Sequence, residues 1–75
     1  MKVGDKVFLS TEIIEPADED HPAYLMGQKG EIVEIVDIEP QRETYKYSVE
    51  GPTNPGKPWR ANREDLMRTK PFSFN

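Results

Sequence analysis

At 75 residues the chain has room for one small domain, whose core would bury only about 60% of the unfolded surface. The absence of cysteine excludes disulfide staples, thiolate metal ligands and a thiol nucleophile, and with them the disulfide-dense secreted scaffolds. The net charge of −4 is uneven: residues 1–50 hold twelve acids against five bases, a balance of −7, whereas 51–75 hold five bases against two acids, a balance of +3.

No apolar run nears the roughly 20 residues of a membrane span. The opening MKVGDKVFLS lacks the long apolar core of a signal peptide. A soluble cytoplasmic protein without a membrane partner is therefore expected.

In chain order, Gly4-Asp5 reads as a turn feeding a first strand, in which Val7 and Leu9 share one face and Phe8 points the other way. Ser10 to Met26 reads as a long loop with Pro16 and Pro22, tacked to the body by Ile13-Ile14. A loop of that length in so small a domain is usually functional or disordered.

Residues 27–39 are expected to form the organising strand. Gly27 and Gly30 suggest positive φ or close backbone approach. Ile32, Val33, Ile35, Val36 and Ile38 break strict alternation. A bulge near Glu34 would turn both Ile32 and Ile35 inward. A helix is the rival, because Ile32, Ile35, Val36 and Glu39 also have helical spacing; β-branched density favours the strand.

Thr44–Glu50 alternates cleanly, with Tyr45, Tyr47 and Val49 on one face, and should pair with the preceding strand as a hairpin. Residues 51–58 carry three prolines and two glycines and exclude regular structure. Trp59-Arg60-Ala61 reads as a short strand, Asn62–Asp65 as a single helical turn capped by Asn62, and Leu66–Arg68 as the last strand. The domain is expected over 1–70 and a tail over 71–75. The predicted fold is all-β: a five-stranded, partly open barrel with a long first loop and one helical turn before the last strand.

That layout resembles the SH3-like small barrels. VGDKV, the long loop, GQKGEIVEI, YSV and WRANREDL carry the resemblance across residues 3–68. Gly27-x-x-Gly30-x-Ile32 looks like a KOW-type strand turn. The order of His-Pro, Gly and Gly-Glu-Ile-Val, with the aromatic-x-Ala and acid-acid-Leu ending, is similar to the variable chain of ferredoxin–thioredoxin reductase. The Gly-Asp-x-Val opening looks like the SH3-like part of the nitrile hydratase β subunit. In those two enzyme families the barrel is a non-catalytic companion of a catalytic chain, so the resemblance implies an accessory role beside a larger enzyme subunit. The acidic loop and the proline-rich segment depart from both families. Such motifs are turn and core positions, which fix a fold better than a function.

Three chemistries can be weighed on the residues themselves. Glu12, Glu15, Asp18, Glu19 and Asp20 line the first loop without an intervening base, and His21 follows them. The lone histidine and its acids lack the glycine-containing spacing of a calcium loop, so no metal or cofactor is expected. Ser10, Thr11, Ser48 and Ser73 have no base close by in sequence. Pairing with His21 stays open, but a barrel of this size offers little concave volume, and no catalytic residue is assigned. The leading expectation is a non-enzymatic interaction domain that meets another protein through Glu15, Asp18, Glu19, Asp20, His21 and Tyr24. Tyr45, Tyr47 and Trp59 are expected mainly in the core. One alternative is KOW-like nucleic-acid binding through Lys57, Arg60, Arg63 and Arg68. Another is a phage-type acidic inhibitor that uses the same acidic surface.

Overall fold

The computed structural model describes residues 1–69; the expected tail, with Phe72 and Phe74, lies outside the described residues. Within them the fold is all-β. Strands β1 (Lys6–Leu9), β2 (Ile13–Glu15), β3 (Tyr24–Gly27), β4 (Ile32–Ile38), β5 (Tyr47–Glu50), β6 (Trp59–Ala61) and β7 (Leu66–Met67) are joined by turns and one 3-10 turn at Arg63–Asp65. Five strands form an antiparallel sheet in the order β6-β5-β4-β1-β7, and β2 and β3 form a separate hairpin.

The strand order forces the sheet to curl. Laid flat, β6 and β7 would stand about 19 Å apart, four spacings of about 4.8 Å. The connection from Ala61 to Leu66 contains the 3-10 turn and reaches only about 13 Å. The two edges must therefore bend toward each other. Ser10 pins the short turn in place: its N–H donates to the Asp65 carbonyl at 2.8 Å and its hydroxyl to the Glu64 carbonyl at 2.9 Å.

The core is the inner face of this curl. Val7 pairs with Val33, Ile35 with Val49, Val49 with Trp59 and Leu9 with Leu66, and all these side chains are buried. Burying an aliphatic or aromatic side chain of this kind contributes about 1.5–3 kcal/mol. A domain of this length has a total stability of only about 4–11 kcal/mol, so any one of these residues matters.

The organising strand differs from its sequence reading in phase and in start. Val33 and Ile35 face inward, whereas Ile32 is half exposed on the outer face beside Phe8 and Met67. The irregularity in pairing falls at Val36, between the Ile35–Val49 and Asp37–Ser48 pairs. One extra residue there reverses the alternation, so Ile35 and Ile38 both turn toward the core. The inward pair three residues apart exists, but it is 35 and 38 rather than 32 and 35.

The segment from 27 to 31 is not strand throughout. Gln28–Glu31 is a tight turn closed by the Glu31 N–H on the Gln28 carbonyl at 3.1 Å. Gly30 has φ +83, which a type II turn requires at its third residue. Gly27 ends β3 for a packing reason: a Cβ there would strike the Leu9 side chain and sit 3.0 Å from the Trp59 ring.

Two further expectations change. The first loop is not irregular throughout, because Ile13–Glu15 and Tyr24–Gly27 pair as a hairpin. β5 begins at Tyr47, not at Thr44. Tyr45 is half exposed with φ +52, so it lies outside both the strand and the core, and Tyr47 is only partly buried. Among the described residues no helix is long and apolar enough to cross a membrane.

Candidate partner-binding surface

The β2–β3 hairpin projects the acidic residues away from the core. Glu12, Glu15, Asp18, Glu19, Asp20 and His21 are all exposed. Pro16 follows β2 and Pro22 precedes β3, and neither can donate to a ladder, so pairing stops between them. Asp18 shapes the tip. Its Oδ1 accepts the N–H of Asp20 at 2.8 Å and of His21 at 2.7 Å, and its own N–H donates to the His21 carbonyl at 2.9 Å. The His21 ring Nδ1 lies 3.1 Å from the same oxygen. The Asp20 N–H and then the His21 side chain hold the Asp18 carboxyl below its usual range; desolvation pulls the other way, and the His21 N–H adds a lesser lowering. Asp18 and His21 thus shape the turn, and Glu19 and Asp20 are left to present charge. Among the described residues, no three histidine or carboxylate side chains converge as a metal site would need.

Tyr24 sits opposite Glu15 in the hairpin, with about half its surface exposed. Its hydroxyl donates to the Oδ1 of Asn54, and the Nδ2 of Asn54 donates to the carbonyls of Leu25 at 3.1 Å and Met26 at 2.8 Å. Asn54 is the one buried polar residue among those described. It fastens the loop between β5 and β6 onto β3 and holds the Tyr24 ring in one orientation.

Beside the hairpin lies a groove of about 350 Å³. Ile14, Pro16 and Met26 of the hairpin region line it together with Arg42, Tyr45 and Trp59. Ile14 and Tyr45 are each half exposed there. Tyr45 holds a left-handed backbone that side chains other than glycine seldom adopt, and its N–H donates to the Oδ1 of Asn62 at 2.7 Å. Such strain persists where surrounding structure imposes it, and it clusters at binding surfaces. Asn62 also opens the 3-10 turn, its N–H donating to the Asp65 carboxylate at 3.0 Å.

A second concavity, about 450 Å³, lies where the Gln28–Glu31 turn meets Pro52 and Thr53. Its carboxylate is already engaged. Glu31 accepts from the Gln28 N–H at 3.0 Å, the Thr53 N–H at 3.1 Å and the Thr53 hydroxyl. This is an internal tie between two turns.

The basic candidates are dispersed in role. Lys57 is exposed in the β5–β6 loop, and Arg68 is exposed just after β7. Arg60 on β6 forms an ion pair with Glu39, and the Nη1 of Arg63 donates to the Leu66 carbonyl at 2.9 Å. Two of the four therefore already have partners within the chain. The Ser10 hydroxyl is engaged by Glu64, and His21 faces Asp18.

Reasoning on the sequence missed Asn54, Arg42 and Glu31, and it placed Tyr45, weighed as a groove residue, mainly in the core. Asn54 stands among prolines and glycines and reads as one more turn residue; only the tertiary fold buries it. Tyr45 completes a clean alternation, and nothing local reveals that its backbone has left the strand. Comparison with protein-family models, with curated proteins and with solved structures finds no match.

Proposed function

We propose that this chain is a non-enzymatic interaction domain of the SH3-like kind. It docks on a partner protein, in an accessory role, through the acidic hairpin and the aromatic groove beside it. The observation that carries this reading is the juxtaposition of an exposed anionic tip with a half-exposed apolar groove on one side of the hairpin. Isolated apolar residues on a surface are ordinary. A groove holding Ile14, Tyr45 and the edge of Trp59 beside concentrated charge is what an interface needs, since charge steers the encounter and apolar contact holds it. The curled five-stranded sheet and the 3-10 turn before the last strand support the SH3-like assignment.

The nucleic-acid reading draws less support, because Arg60 and Arg63 are already engaged. An inhibitor of a basic nucleic-acid enzyme would use the same acidic face and is a special case of protein docking.

The test compares the wild type with Asp18→Ser, Glu19→Ser and Asp20→Ser combined, against a partner identified by cross-linking. The association rate is expected to fall about tenfold at low salt, with a smaller loss at physiological ionic strength. Unchanged rates at both salts would remove the hairpin tip from the interface.

A further inference from the structure

We infer that the groove beside the hairpin receives an extended segment of the partner, which adds to the fold as a strand. This rests on the docking reading above and specifies how the partner is held.

Two strand edges meet at this groove. Among the described residues, β6 is the terminal strand of the five-stranded sheet and pairs only with β5. Among the same residues, β2 pairs only with β3. Ile14 and Glu15 of β2 and Trp59 and Arg60 of β6 all line the groove. Among the described residues, no hydrogen bond from outside their ladders reaches the backbone of 13–15 or of 59–61. The outer edge of β3 is different, since Asn54 donates to the Leu25 and Met26 carbonyls there. The fold therefore caps one hairpin edge with a buried side chain and leaves the edge that faces the groove uncapped. Each open edge is three residues long, short enough to resist open-ended association and long enough to pair with a short peptide.

Floor and rims specify the occupant. Met26, Ile13 and the nearly buried Trp59 make an apolar floor, which suits the inward side chains of an alternating segment. Glu15 at the end of β2, continuous in sequence with the acids of the tip, and Arg42 from the β4–β5 connection also line it. Arg60 is neutralised by Glu39. The fitting ligand is an extended peptide with small branched apolar residues facing in and a basic side chain directed toward Glu15. The volume sits at the low end of ligand sites, enough for a few residues and not for a folded domain.

The probe is acetyl-Thr-Val-Lys-Val-Thr-Val-Lys-amide, titrated into the full chain to about 1 mM, a concentration suited to a weak short ligand. Amide shifts of Ile13–Glu15 and Arg60 and the indole N–H of the sole tryptophan report binding. N-methylation along the peptide should weaken binding about tenfold at every second position and leave the others unchanged, because the peptide pairs with the β2 edge alone and only alternate N–H groups face it. Ile14→Lys, at an exposed position, should keep the fold and weaken binding by a similar factor. No shifts, a flat N-methyl scan, equal binding of a polyproline peptide or an unaffected Ile14→Lys variant would each overturn strand addition. Groove signals that move with protein concentration alone would overturn it in favour of a second copy. If the triple serine variant loses its partner while the N-methyl scan is flat, docking stands and strand addition falls. A period-two scan with an unaffected triple variant separates them the other way.

Discussion

Two eight-residue connections, 16–23 and 51–58, are both punctuated by proline, yet they are built on opposite plans. The acidic tip is held by Asp18 alone, through contacts no more than three residues away in sequence. The proline-rich loop is held from a distance. Thr53 reaches Glu31 across 22 residues, and Asn54 reaches Tyr24, Leu25 and Met26 across about 30. The first connection is shaped but not attached, and the second is part of the framework. Charge gathers on the unattached one, where carboxylates keep their hydration; the attached one contributes a buried amide whose hydrogen-bonding groups all have partners.

The contrast can be broken most sharply at Asn54. Asn54→Ala leaves two carbonyls and the Tyr24 hydroxyl without partners and should cost about 2–3 kcal/mol. Thermal unfolding should show a midpoint about 10–20 °C lower. A drop of only a degree or two would mean that the loop is not framework at all.

A smaller effect is expected at Thr53. Burial pulls the Glu31 carboxyl upward, but the Thr53 hydroxyl, the Gln28 N–H and the Thr53 N–H together outweigh it, so Glu31 sits below its ordinary range. A carboxyl depressed in the folded state stabilises fully above its unfolded value, near ~4.3, and progressively less as pH falls through the lower folded value. Thr53→Val removes one donor. It should cost about 1 kcal/mol at neutral pH, and the gap from wild type should close in acid. Denaturant midpoints across pH 2–7 would check this, and a gap that widens toward low pH would contradict it.

The smallest effect belongs to the tip. Asp18→Ala should leave the unfolding midpoint unmoved while the amides of Asp20 and His21 exchange faster with solvent. A shift in global stability would mean that the tip is attached after all.

The same contrast explains what could be read from the sequence. Short-range features were legible: the strand around Val7 and Leu9, the Trp59–Ala61 strand, a single turn over 62–65, and a first loop carrying its acids outward; the Asn62 side chain, expected to cap that turn, instead accepts the Tyr45 N–H. Each depends on alternation, a cap or hydration, which neighbours in the chain decide. The phase of β4 was not legible, because a bulge at Val36 or at Glu34 fits the same run of branched residues and only the pairing with β5 selects one. The hairpin within the first loop was hidden because Tyr24-Leu25-Met26 shows no alternation of its own. Asn54, Glu31 and Tyr45 were hidden because their partners lie 17 to 30 residues away.

The position of β7 has a consequence for how the molecule is made. Its two residues, Leu66 and Met67, lie against β1, and Leu66 is the last buried side chain of the core among the described residues. β1 therefore waits for a strand nearly sixty residues further along the chain before its second edge is paired. A domain with so non-local a closure folds late and as a unit. A chain that stops at Asp65 would lack the Leu66 side chain and expose the flank of its own amino-terminal strand, a direct route to aggregation or proteolysis.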